Sequence, residues 1–484
     1  MNSRNSHAVT IIKALSFGLD IAAFVAALFL APIIFSFFSD NVSFFGSDAP
    51  RSQAVTLALA VCFMAFFSVT GKYTKRKPLW GLILSVVRLS FILLAIDIIV
   101  RSAANYGHPS LYPLVYWPIA LTLMVVFRFV LNVVKIRSAG WKIPAVLIGD
   151  VSIVTHILYA IESDLGMGYD PQRILMRGDV DRRFDKDEAP ARFKDIKLRD
   201  GRETYADFIR ENLDHHFIIS METFRGKDRD DLLELLNNED VHFSLVPMIS
   251  QMSLYQSDPL YFFGHDVMFI ETKRYKLSFF SRFLKRTMDI IGASAGLLIL
   301  GIPMLIIAAL LKKECPNEPV LYGGYRVGMG RSTFRCWKFR TMESNSDHLL
   351  DTYLADNPEA KAYWDRFLKL PEDPRVRTKT TRFIRKKSID ELPQLWNVLK
   401  GEMSIVGPRP ILPDEIEIYG EPIKYYESMH PGITGLWQVS GRSETSFNRR
   451  IVWDRWYVRN WSLWGDIVII IKTILIVLNS KGAT

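Results

Sequence analysis

Four long apolar segments open the chain, and they constrain its fold more than any other feature. They cover about residues 14–38, 53–70, 79–100 and 111–134. Each reaches or approaches the ~20 residues that a helix needs to cross the hydrocarbon core of a bilayer. Hydrophobic residues make up 49% of the 484. Because most of the excess lies before residue 135, we expect a membrane part joined to a water-exposed part.

Basic residues are distributed unevenly among the loops that flank these segments. One set precedes the first segment, fills the second loop and follows the fourth segment: Arg4, Lys13, Lys72, Lys75, Arg76, Lys77, Lys135, Arg137 and Lys142. The other two loops hold only Arg51 and Arg101, beside Asp40 and Asp48. The positive-inside rule then predicts that the N-terminus and everything after residue 135 lie in the cytoplasm. Residues 1–30 lack a small-residue cleavage site, which predicts a retained anchor rather than a signal peptide.

Four charged residues lie inside the apolar segments: Asp20, Arg88, Asp97 and Arg128. Such residues form either a polar pathway through the bilayer or ion pairs that lock a helix bundle. Asp20 and Arg128 both lie six residues from the cytoplasmic ends of their segments. They therefore sit at similar depth, and we expect an Asp20–Arg128 pair.

The composition changes at residue 143, where IPAVLIGD (143–150) reads as a buried strand that reaches a tight turn. Helical patterns follow at 152–163 and 228–238, and apolar runs at 216–220 and 241–246. This alternation predicts a parallel, Rossmann-like sheet over about 142–270. The turn at Gly149 and Asp150 lacks the GxGxxG glycines that admit a pyrophosphate. We therefore expect a structural or subunit-contact role rather than a dinucleotide site.

A further apolar block, residues 290–311, is 22 residues long. Basic pairs flank both of its ends, at 285–286 and 312–313, so the positive-inside rule assigns it no direction. Pro303 lies in its middle and cannot donate to the carbonyl of Ile299. The block is either a kinked spanning helix or a helix that breaks and turns back with both ends on one side.

Basic residues dominate the stretch from 375 to 387: Arg375, Arg377, Lys379, Arg382, Arg385, Lys386 and Lys387. With a net charge of +9, such a run fits a solvated face, a membrane-surface patch or a nucleic-acid contact. Upstream, GGYRVGMG (323–330) is a glycine-rich stretch that we expect to form a turn, whose backbone could approach a phosphate. The cysteines at 62, 315 and 336 form neither a paired framework nor a CxxC metal site, which predicts a reducing compartment.

Two carboxylates, Asp390 and Glu391, follow the basic run directly. Nearby cations keep adjacent carboxylates ionised. An ionised Asp can attack phosphorus, and a second carboxylate can hold a metal that shields phosphate oxygens. The alternative is an ordinary helix start with acids in its first turn.

Three later segments complete the pattern. Arg409, between Pro408 and Pro410, is a guanidinium on a rigid backbone that suits a phosphate or a uracil edge. PGITGLWQ (431–438) offers a turn, an aromatic surface and the amide of Gln438. The tail carries four tryptophans beside a short apolar stretch: Trp453, Trp456, Trp461 and Trp464. They fit either a membrane–water boundary or core packing, and their clustering favours the boundary.

Six motifs in this order resemble the bacterial sugar transferases, the monotopic phosphoglycosyl transferases. They are KRTMD (285–289), KFRTM (338–342), DPRV (373–376), SIDELPQLWNVLKGEMSIVGPRP (388–410), PGITGLWQVSGR (431–442) and WYVRNWSLW (456–464). The resemblance covers about residues 280–484, and the whole chain resembles the large polyprenyl-phosphate hexose-1-phosphate transferases. The stretches 73–80, 253–268 and 354–370 look most similar to galactose-specific members.

The resemblance implies a fold class, a membrane α-helical bundle plus α/β. Four transmembrane helices would occupy 1–138, the Rossmann-like domain 142–270 and a catalytic α/β domain 280–484. It also implies a re-entrant helix over 284–312, with Lys285, Arg286, Asp289 and Pro303 at the membrane re-entry. It implies a UDP-sugar donor, undecaprenyl phosphate as acceptor, Mg²⁺ and a covalent intermediate on Asp390, with Glu391 as its partner. The substrate or phosphate site would comprise Lys338, Arg340, Arg375, Arg385, Pro408, Arg409, Pro410, Gln438 and Asp454.

The chain departs from the family pattern in three places. Gly324 and Tyr325 stand where a His/Gln–Gln/Glu pair is usual before Arg326. Residues 375–382 run one longer than usual and lack a glycine, and Ile302 replaces a serine before Pro303. The departures put the roles of Arg377 and Lys379 in doubt and leave Asp390 and Glu391 untouched.

We therefore expect a homodimeric inner-membrane enzyme that transfers galactose-1-phosphate or glucose-1-phosphate to undecaprenyl phosphate and releases UMP. This would be the first membrane step of O-antigen, capsule or exopolysaccharide synthesis. A spanning block at 290–311 would place this chemistry outside the cell, where nucleotide sugars are absent, so the function favours re-entry. The rivals are a glycosyltransferase that releases UDP and a membrane-tethered nucleotide- or nucleic-acid-binding regulator. No helix-turn-helix or stacking motif supports the regulator, and we expect no nucleic-acid partner.

Overall fold

The structure of the chain is a computed structural model. It describes residues 3–36, 49–104, 112–176, 191–193, 196–200, 205–224, 226–239, 241–247, 259–261, 268–270, 277–342, 346–367, 370, 375–376, 378–440 and 447–479. Asp40, Asp48, Asp373, Pro374, Arg377 and most of the 253–268 stretch lie outside these ranges. The chain divides into two compact units, Met1–Met248 and Ile249–Thr484.

The first unit begins with four apolar helices, as the sequence predicted. They are α1 (Ser3–Ser36), α2 (Ala49–Val69), α3 (Leu79–Ala104) and α4 (Tyr112–Arg137). Within them, Val9–Ile34, Leu79–Ala103 and Tyr112–Arg137 are long and apolar enough to cross a membrane, while the apolar section of α2, Ala54–Val69, is shorter. These helices indicate a membrane protein.

Three of the four charges predicted inside the bundle take part in ion pairs. Arg128 Nη2 lies 2.6 Å from Asp20 Oδ2, and both side chains are buried, so the predicted pair is confirmed. Tyr73 also donates its hydroxyl to Asp20, at 2.6 Å. Asp97 pairs with Arg101 at 2.6 Å. Since buried charges need such partners, these contacts are what a bundle-locking role requires.

The rest of the first unit is a five-stranded sheet with helices between its strands. The elements are β1 (Ile143–Gly149), α5 (Val151–Ser163), β2 (Tyr169–Met176), β3 (Lys197–Asp200), α6 (Tyr205–Arg210), β4 (His216–Ser220), α7 (Lys227–Asn238) and β5 (Phe243–Val246). The order is β3-β2-β1-β4-β5 and every pairing is parallel. The sequence patterns located β1, α5, β4, α7 and β5, but not β2, β3 or α6, whose residues show no clear apolar period.

The second unit mixes short strands with helices. Its elements are β6 (Pro259–Tyr261), β7 (Met268–Ile270), α8 (Phe279–Glu314), β8 (Leu321–Val327), β9 (Thr333–Phe339), α9 (Ser346–Asp356), α10 (Pro358–Phe367), α11 (Lys379–Lys386), α12 (Gln394–Lys400), β10 (Ser404–Val406), α13 (Glu415–Tyr419), α14 (Ile423–Tyr426), β11 (Gly432–Thr434), α15 (Leu436–Ser440), α16 (Phe447–Arg459) and α17 (Leu463–Asn479). Strands pair as β6–β7 and β8–β9, both antiparallel, and as β10–β11, parallel.

The glycine-rich stretch at 323–330 is mostly strand rather than turn, so this part of the prediction is wrong. Residues 323–327 lie in β8 and pair with β9, and only the connection from Gly328 to Ser332 turns. Gly323 packs under an aromatic ring, because a Cβ there would lie 2.9 Å from Trp337. Its lack of a side chain therefore serves packing in the hairpin.

Helix α8 is a single helix of 36 residues that continues through Pro303. The expected break is therefore replaced by continuous helix, since a proline removes one hydrogen bond and can bend a helix without ending it. The residues before and after Pro303 point away from the protein: Leu298, Ile299, Ile302 and Leu305 are each more than 70% exposed. This middle section has the apolar surface that a lipid environment accepts.

Both ends of α8 pack on the second unit. At its start, Asp289 accepts hydrogen bonds from Ser404 Oγ and Ile405 N, each at 2.9 Å. Arg286 donates to the carbonyls of Val398 and Leu399, at 2.6 and 2.8 Å, and so caps the end of α12. Near its other end, a buried cluster combines α8 with β9 and α11: Leu311, Phe339 and Ile384.

Lys285 anchors the start of α8 through a buried network. Its ammonium lies 2.8 Å from Asp466 and donates to the carbonyl of Val406 at 2.9 Å. Tyr457 and Trp461 donate to the same carboxylate, at 2.7 and 3.0 Å. The network joins α8, β10, α16 and α17, so Lys285 has a packing role besides any contact with the membrane.

Candidate active site

The two predicted catalytic carboxylates lie in a tight turn between α11 and α12. Residues Ile389–Glu391 form one turn of 3-10 helix. Ser388, directly before it, is left-handed, with φ of 54°, a conformation that non-glycine residues adopt at an energetic cost. Asp390 is 9% exposed. The acids therefore do not form an ordinary first helical turn on the surface, which was the alternative interpretation.

Lys338 brings a positive charge to this turn from β9. Its ammonium lies 2.6 Å from Glu391 Oε1. Burial, and then the charge of Glu391, raise the pKa of Asp390 to about 6, while Lys338 and Arg385 oppose the rise. Because its pKa stays below 7, Asp390 is mostly ionised at neutral pH and can act as a nucleophile.

Asn397 holds β9 and α12 together and so fixes Lys338 against the two carboxylates. Its side chain is fully buried. Its Oδ1 accepts from Trp337 N at 3.0 Å and its Nδ2 donates to Arg335 O at 2.7 Å. Nδ2 also donates to Glu402, at 2.6 Å. The amide thus bonds the edge of β9 just before Lys338.

A small cleft that is open to solvent adjoins the turn. It is lined by Arg326, Cys336, Lys338, Glu391, Gln394, Arg409, Pro410, Gly432, Ile433 and Gln438. Three cations and two amides therefore face one small space, beside the carboxylate of Glu391. This composition suits a ligand that carries several negatively charged oxygens.

The wall that carries Arg409 depends on a close crossing of two segments. Gly407 N donates to Thr434 O at 2.9 Å, and Gly432 N donates to Pro408 O at 2.8 Å. A Cβ on Gly407 would lie 2.4 Å from the carbonyl of His430. Glycine is therefore required there, and the crossing places Arg409 and Pro410 opposite the segment that ends at Gln438.

The cleft contains five of the predicted site residues: Lys338, Glu391, Arg409, Pro410 and Gln438. Asp390 lies beside it in the same turn, and Arg385 acts on Asp390 electrostatically. Pro408 is a backbone acceptor in the crossing. The sequence therefore predicted most of the polar wall.

Arg340 and Arg375 lie elsewhere, so the structure does not place them in this cleft. Both line a second cavity, open to solvent, beside the end of α8. Arg340 donates to Pro319 O at 3.1 Å and lies 3.8 Å from Glu318. Arg375 lies over the ring of Trp364, at 5.5 Å. Arg340 follows Phe339, the last residue of β9, and so lies beyond the part of the strand that carries Lys338 to the cleft.

Asp454 is buried rather than exposed to the cleft. It is 3% exposed and accepts a hydrogen bond from Tyr419 at 2.8 Å. Burial raises its pKa to about 7, against the opposing effects of Tyr419, Arg450 and Arg409. Arg450, on the same helix, lies 4.8 Å from the ring centre of Trp437, and Arg409 lies 5.5 Å from the same centre. Asp454 therefore supports the residues behind Arg409 and is not placed to contact a substrate.

Three residues that were not predicted from the sequence also line the cleft: Arg326, Cys336 and Gln394. Cys336 and Lys338 are two residues apart on β9 and so share a face of that strand. Arg326 pairs with Phe334, on the same face. An alternating pattern in GGYRVGMG would have pointed to Arg326, had the stretch been interpreted as a strand.

The donor set fits Mg²⁺ bound jointly with a phosphate. Mg²⁺ is commonly held by one or two carboxylates together with substrate phosphates and water. Asp390 and Glu391 supply two carboxylates at the edge of the cleft. No group of three or more His, Cys, Asp or Glu side chains that could hold a metal occurs among the described residues. These side chains therefore do not form an all-protein cage.

Comparisons with known proteins relate this chain to bacterial sugar transferases. The family of bacterial sugar transferases matches residues 280–480. The undecaprenyl-phosphate galactose phosphotransferase of Salmonella typhimurium is 35% identical over all of this chain and 99% of its own length. The UDP-galactose-lipid carrier transferase of Erwinia amylovora is 34% identical over 96% of both chains.

A shorter relative matches about two fifths of this chain. The exopolysaccharide production protein ExoY of Rhizobium meliloti is 45% identical over 41% of this chain and 87% of its own length. The matched length, 199 residues, is close to that of the family match at residues 280–480. With similarity over the full length to two named transferases, this chain belongs to the bacterial sugar transferase family.

Proposed function

We propose that this protein transfers galactose-1-phosphate from UDP-galactose to undecaprenyl phosphate and releases UMP. The observation that carries the proposal is the buried Asp390, next to Glu391 and Lys338 at the edge of a cleft with three cations. The full-length relatives named for galactose transfer support the choice of sugar and of lipid. The product would start an exopolysaccharide, capsule or O-antigen unit on the membrane.

The proposed mechanism has two displacements at one phosphorus. A carboxylate oxygen of Asp390 attacks the sugar-bearing β-phosphate, and the bond from that phosphorus to the bridging oxygen breaks. UMP leaves with the bridging oxygen and its electron pair. A phosphate oxygen of the lipid then attacks the same phosphorus, which releases the Asp390 carboxylate and forms the lipid diphosphate sugar.

The side chains around Asp390 fit this task. Lys338 and Arg385 oppose the rise in the pKa of Asp390 and so maintain its ionised form. They would also offset negative charge on the transferring phosphoryl group, which is most of what catalysis of phosphoryl transfer requires. Mg²⁺, when bound by Asp390 and Glu391 with the diphosphate, would supply further positive charge to the phosphate oxygens.

We propose that α8 is re-entrant, with both ends at the cytoplasmic face of the inner membrane. The start of α8 binds β10 and α12, and its end packs on β9 and α11. Arg286 and Leu311 are 25 residues apart, and a straight helix would separate them by about 38 Å. Contact of both with one small α/β unit therefore favours a bend at Pro303. The exposed apolar middle section would then lie in the lipid.

Three further features belong to the proposal. The four N-terminal helices would cross the inner membrane with the N-terminus and the second unit in the cytoplasm, following the basic loops. The parallel sheet of the first unit would be a Rossmann-like domain without a dinucleotide, used for contact in a homodimer. The tryptophans beside α17 would lie at the membrane–water boundary.

The decisive experiment omits the lipid acceptor. Purified full-length protein is given Mg²⁺ and UDP-galactose labelled in the sugar and the β-phosphate. The protein should acquire label and release up to one UMP per active site, and an Asp390→Asn variant should do neither. A wild-type protein that turns over with undecaprenyl phosphate but acquires no label without it would contradict the covalent intermediate.

The same assay separates the alternatives. UDP as the nucleotide product would identify a glycosyltransferase that moves the sugar without its phosphate. Label from UDP-glucose rather than UDP-galactose would change the sugar and keep the mechanism. No nucleotide product from either donor in the presence of undecaprenyl phosphate would refute the proposed function.

A further inference from the structure

Arg326 is a third cation of the cleft, and it has no role in the mechanism proposed above. It lies on β8, opposite Phe334 of β9, on the face that also carries Cys336 and Lys338. The preceding residue, Tyr325, faces the other way and is 57% exposed. The alternation of the strand therefore directs Arg326 towards the cleft.

The backbone holds Arg326 close to Arg409. Val327 N donates to Ile411 O at 3.0 Å. The hydroxyl of Tyr426 donates to Val327 O at 2.6 Å and accepts from Ile411 N at 3.3 Å. Val327 follows Arg326 directly, and Ile411 is two residues after Arg409. One buried tie therefore sets the positions of both guanidiniums.

The charges of the cleft converge on Cys336. Lys338, Glu391, Arg326 and Arg409 all act electrostatically on its buried thiol. Within the described ranges, the guanidinium of Arg326 has no ion pair or hydrogen bond with another side chain. Lys338, Arg326 and Arg409 are three cations near one carboxylate, that of Glu391. They leave an excess of positive charge in a partly closed space, and a bound anion would neutralise it.

The two arginines and the lysine would serve different phosphates of one donor. Lys338 and Arg385 are the cations that act most strongly on Asp390. The phosphorus that Asp390 attacks must lie about 3–3.5 Å from its carboxylate. The β-phosphate is therefore the phosphate nearest Lys338. Arg326 and Arg409 lie on the wall formed by β8 and residues 407–411. They are therefore the cations placed to bind the neighbouring α-phosphate.

We propose that Arg326, together with Arg409, binds the α-phosphate of the nucleoside diphosphate sugar and then the phosphate of the departing nucleoside monophosphate. This inference rests on the proposed function and assigns a residue to one part of its donor. As the bridging oxygen leaves, the nucleotide phosphate gains a negative charge, and the guanidiniums are placed to stabilise it. Arg326 would thus contribute to donor binding and to leaving-group departure, and not to binding of the lipid.

The test uses full-length protein and two ligands that differ by one phosphate, UMP and uridine. Calorimetry compares wild type with Arg326→Gln and Arg326→Lys. Arg335→Gln is the matched control, since Arg335 lies one strand away on the exposed face and stacks on Tyr325 at 5.4 Å. We expect Arg326→Gln to bind UMP about tenfold more weakly or worse, with uridine affinity unchanged, and Arg326→Lys to recover part of the loss.

Kinetics provide a second reading. Arg326→Gln should raise KM for the UDP-sugar and lower kcat, with KM for undecaprenyl phosphate unchanged, and Arg335→Gln should behave as wild type. Equal loss of UMP and uridine binding, or a variant that binds UMP as wild type does, would overturn the role of Arg326. A wild-type protein that binds UMP but releases no UMP from any UDP-sugar would refute the proposed function. In that case the UMP and uridine affinities still test whether Arg326 binds the nucleotide phosphate.

Discussion

The ammonium of Lys338 lies 2.6 Å from the carboxylate of Glu391, one residue from the proposed nucleophile Asp390. This contact joins β9 to the turn that carries both acids. It also supplies the positive charge that, with Arg385, holds down the pKa of a buried carboxyl whose acidic neighbour acts in the opposite direction. The balance of burial against these charges leads directly to a test by pH.

Removal of the Lys338 charge should move the acid limb of the pH–rate profile. With Asp390 at a pKa of about 6, kcat/KM should rise with pH and level off above that value, since only the carboxylate attacks. In Lys338→Met the pKa of Asp390 rises, so the limb should move up by about one pH unit or more. Lys338→Arg retains the charge and should keep the limb near its wild-type position. If the acid limb of Lys338→Met stays at its wild-type position, the charge of Lys338 does not lower the pKa of Asp390.

Asp390→Asn should stabilise the folded protein at neutral pH while it abolishes turnover. The pKa of Asp390 is raised by burial, so the folded state binds the proton more tightly than the unfolded state does. Its contribution to stability is therefore complete below about pH 4 and is lost as the pH rises through about 6. Asp390→Asn does not lose this stability as the pH rises. Its free energy of unfolding at neutral pH should therefore exceed that of wild type by at most about 3 kcal/mol.

Thermal unfolding followed by tryptophan fluorescence can measure this effect. The difference in Tm between Asp390→Asn and wild type should be near zero at pH 4 and largest above pH 7. Asp414→Asn, which changes an exposed carboxylate, is the control variant. A constant difference across the range would count against a raised pKa.

The ends of α8 should be accessible from the same side of the membrane. Lys285 is buried in its network, so the exposed Arg282 is the better reporter for the start of the helix. Cys315 is exposed at the other end and already serves as a reporter, once Cys62 is replaced by serine. An impermeant maleimide should label neither Arg282→Cys nor Cys315 in intact cells and both after permeabilisation.

The control is a cysteine at position 43, between the first two apolar segments of the sequence. The positive-inside rule places this position outside, so the cysteine should react in intact cells. If the maleimide labels Cys315 in intact cells but does not label Arg282→Cys, α8 spans the membrane. The proposed cytoplasmic site for the chemistry would then be wrong as well.

The sheet of the first unit should not bind a dinucleotide tightly. Asp150 N, at the start of α5, already donates to Thr223 Oγ1 at 3.1 Å. A Cβ on Gly149 would lie 3.0 Å from Ser220 Cβ, so the space above this turn is filled by side chains. Calorimetry on the full-length protein should show no micromolar binding of NAD(H) or NADP(H), with UMP as the positive control. Micromolar binding of either dinucleotide would refute the expectation.

Asn397 should matter for both stability and turnover. Asn397→Leu keeps the volume but leaves Trp337 N and Arg335 O without partners in a buried place, which should cost about 2 kcal/mol or more. Because Trp337 precedes Lys338, we also expect a lower kcat. Asn460→Leu is the matched control, since that amide makes an exposed bond to Trp456 O at 2.9 Å. Unfolding in urea and UMP-release assays measure the two effects, and wild-type behaviour of Asn397→Leu in both would exclude the positioning role.

The sequence alone determined the elements whose residues carry a strong local signal. Long apolar runs identify α1 to α4 and α8, since only helices satisfy their own backbone in an apolar environment. The buried pair of Asp20 and Arg128 followed from matched depth. Motif order located Asp390, Glu391, Lys338 and Arg409, because the chemistry of phosphate needs carboxylates and cations in any fold.

Only the tertiary structure decided which of these residues share a space. Arg340 and Lys338 are two residues apart, yet one lines the second cavity and the other lies beside Glu391. Asp454 carries the same charge as Asp390 but is buried behind Arg409, where Tyr419 and Arg450 balance it. Arg326 reaches the cleft because β8 pairs with β9 and Val327 is tied to Ile411. Such placements depend on contacts between residues far apart in the chain, and local patterns of charge and hydrophobicity carry no record of them.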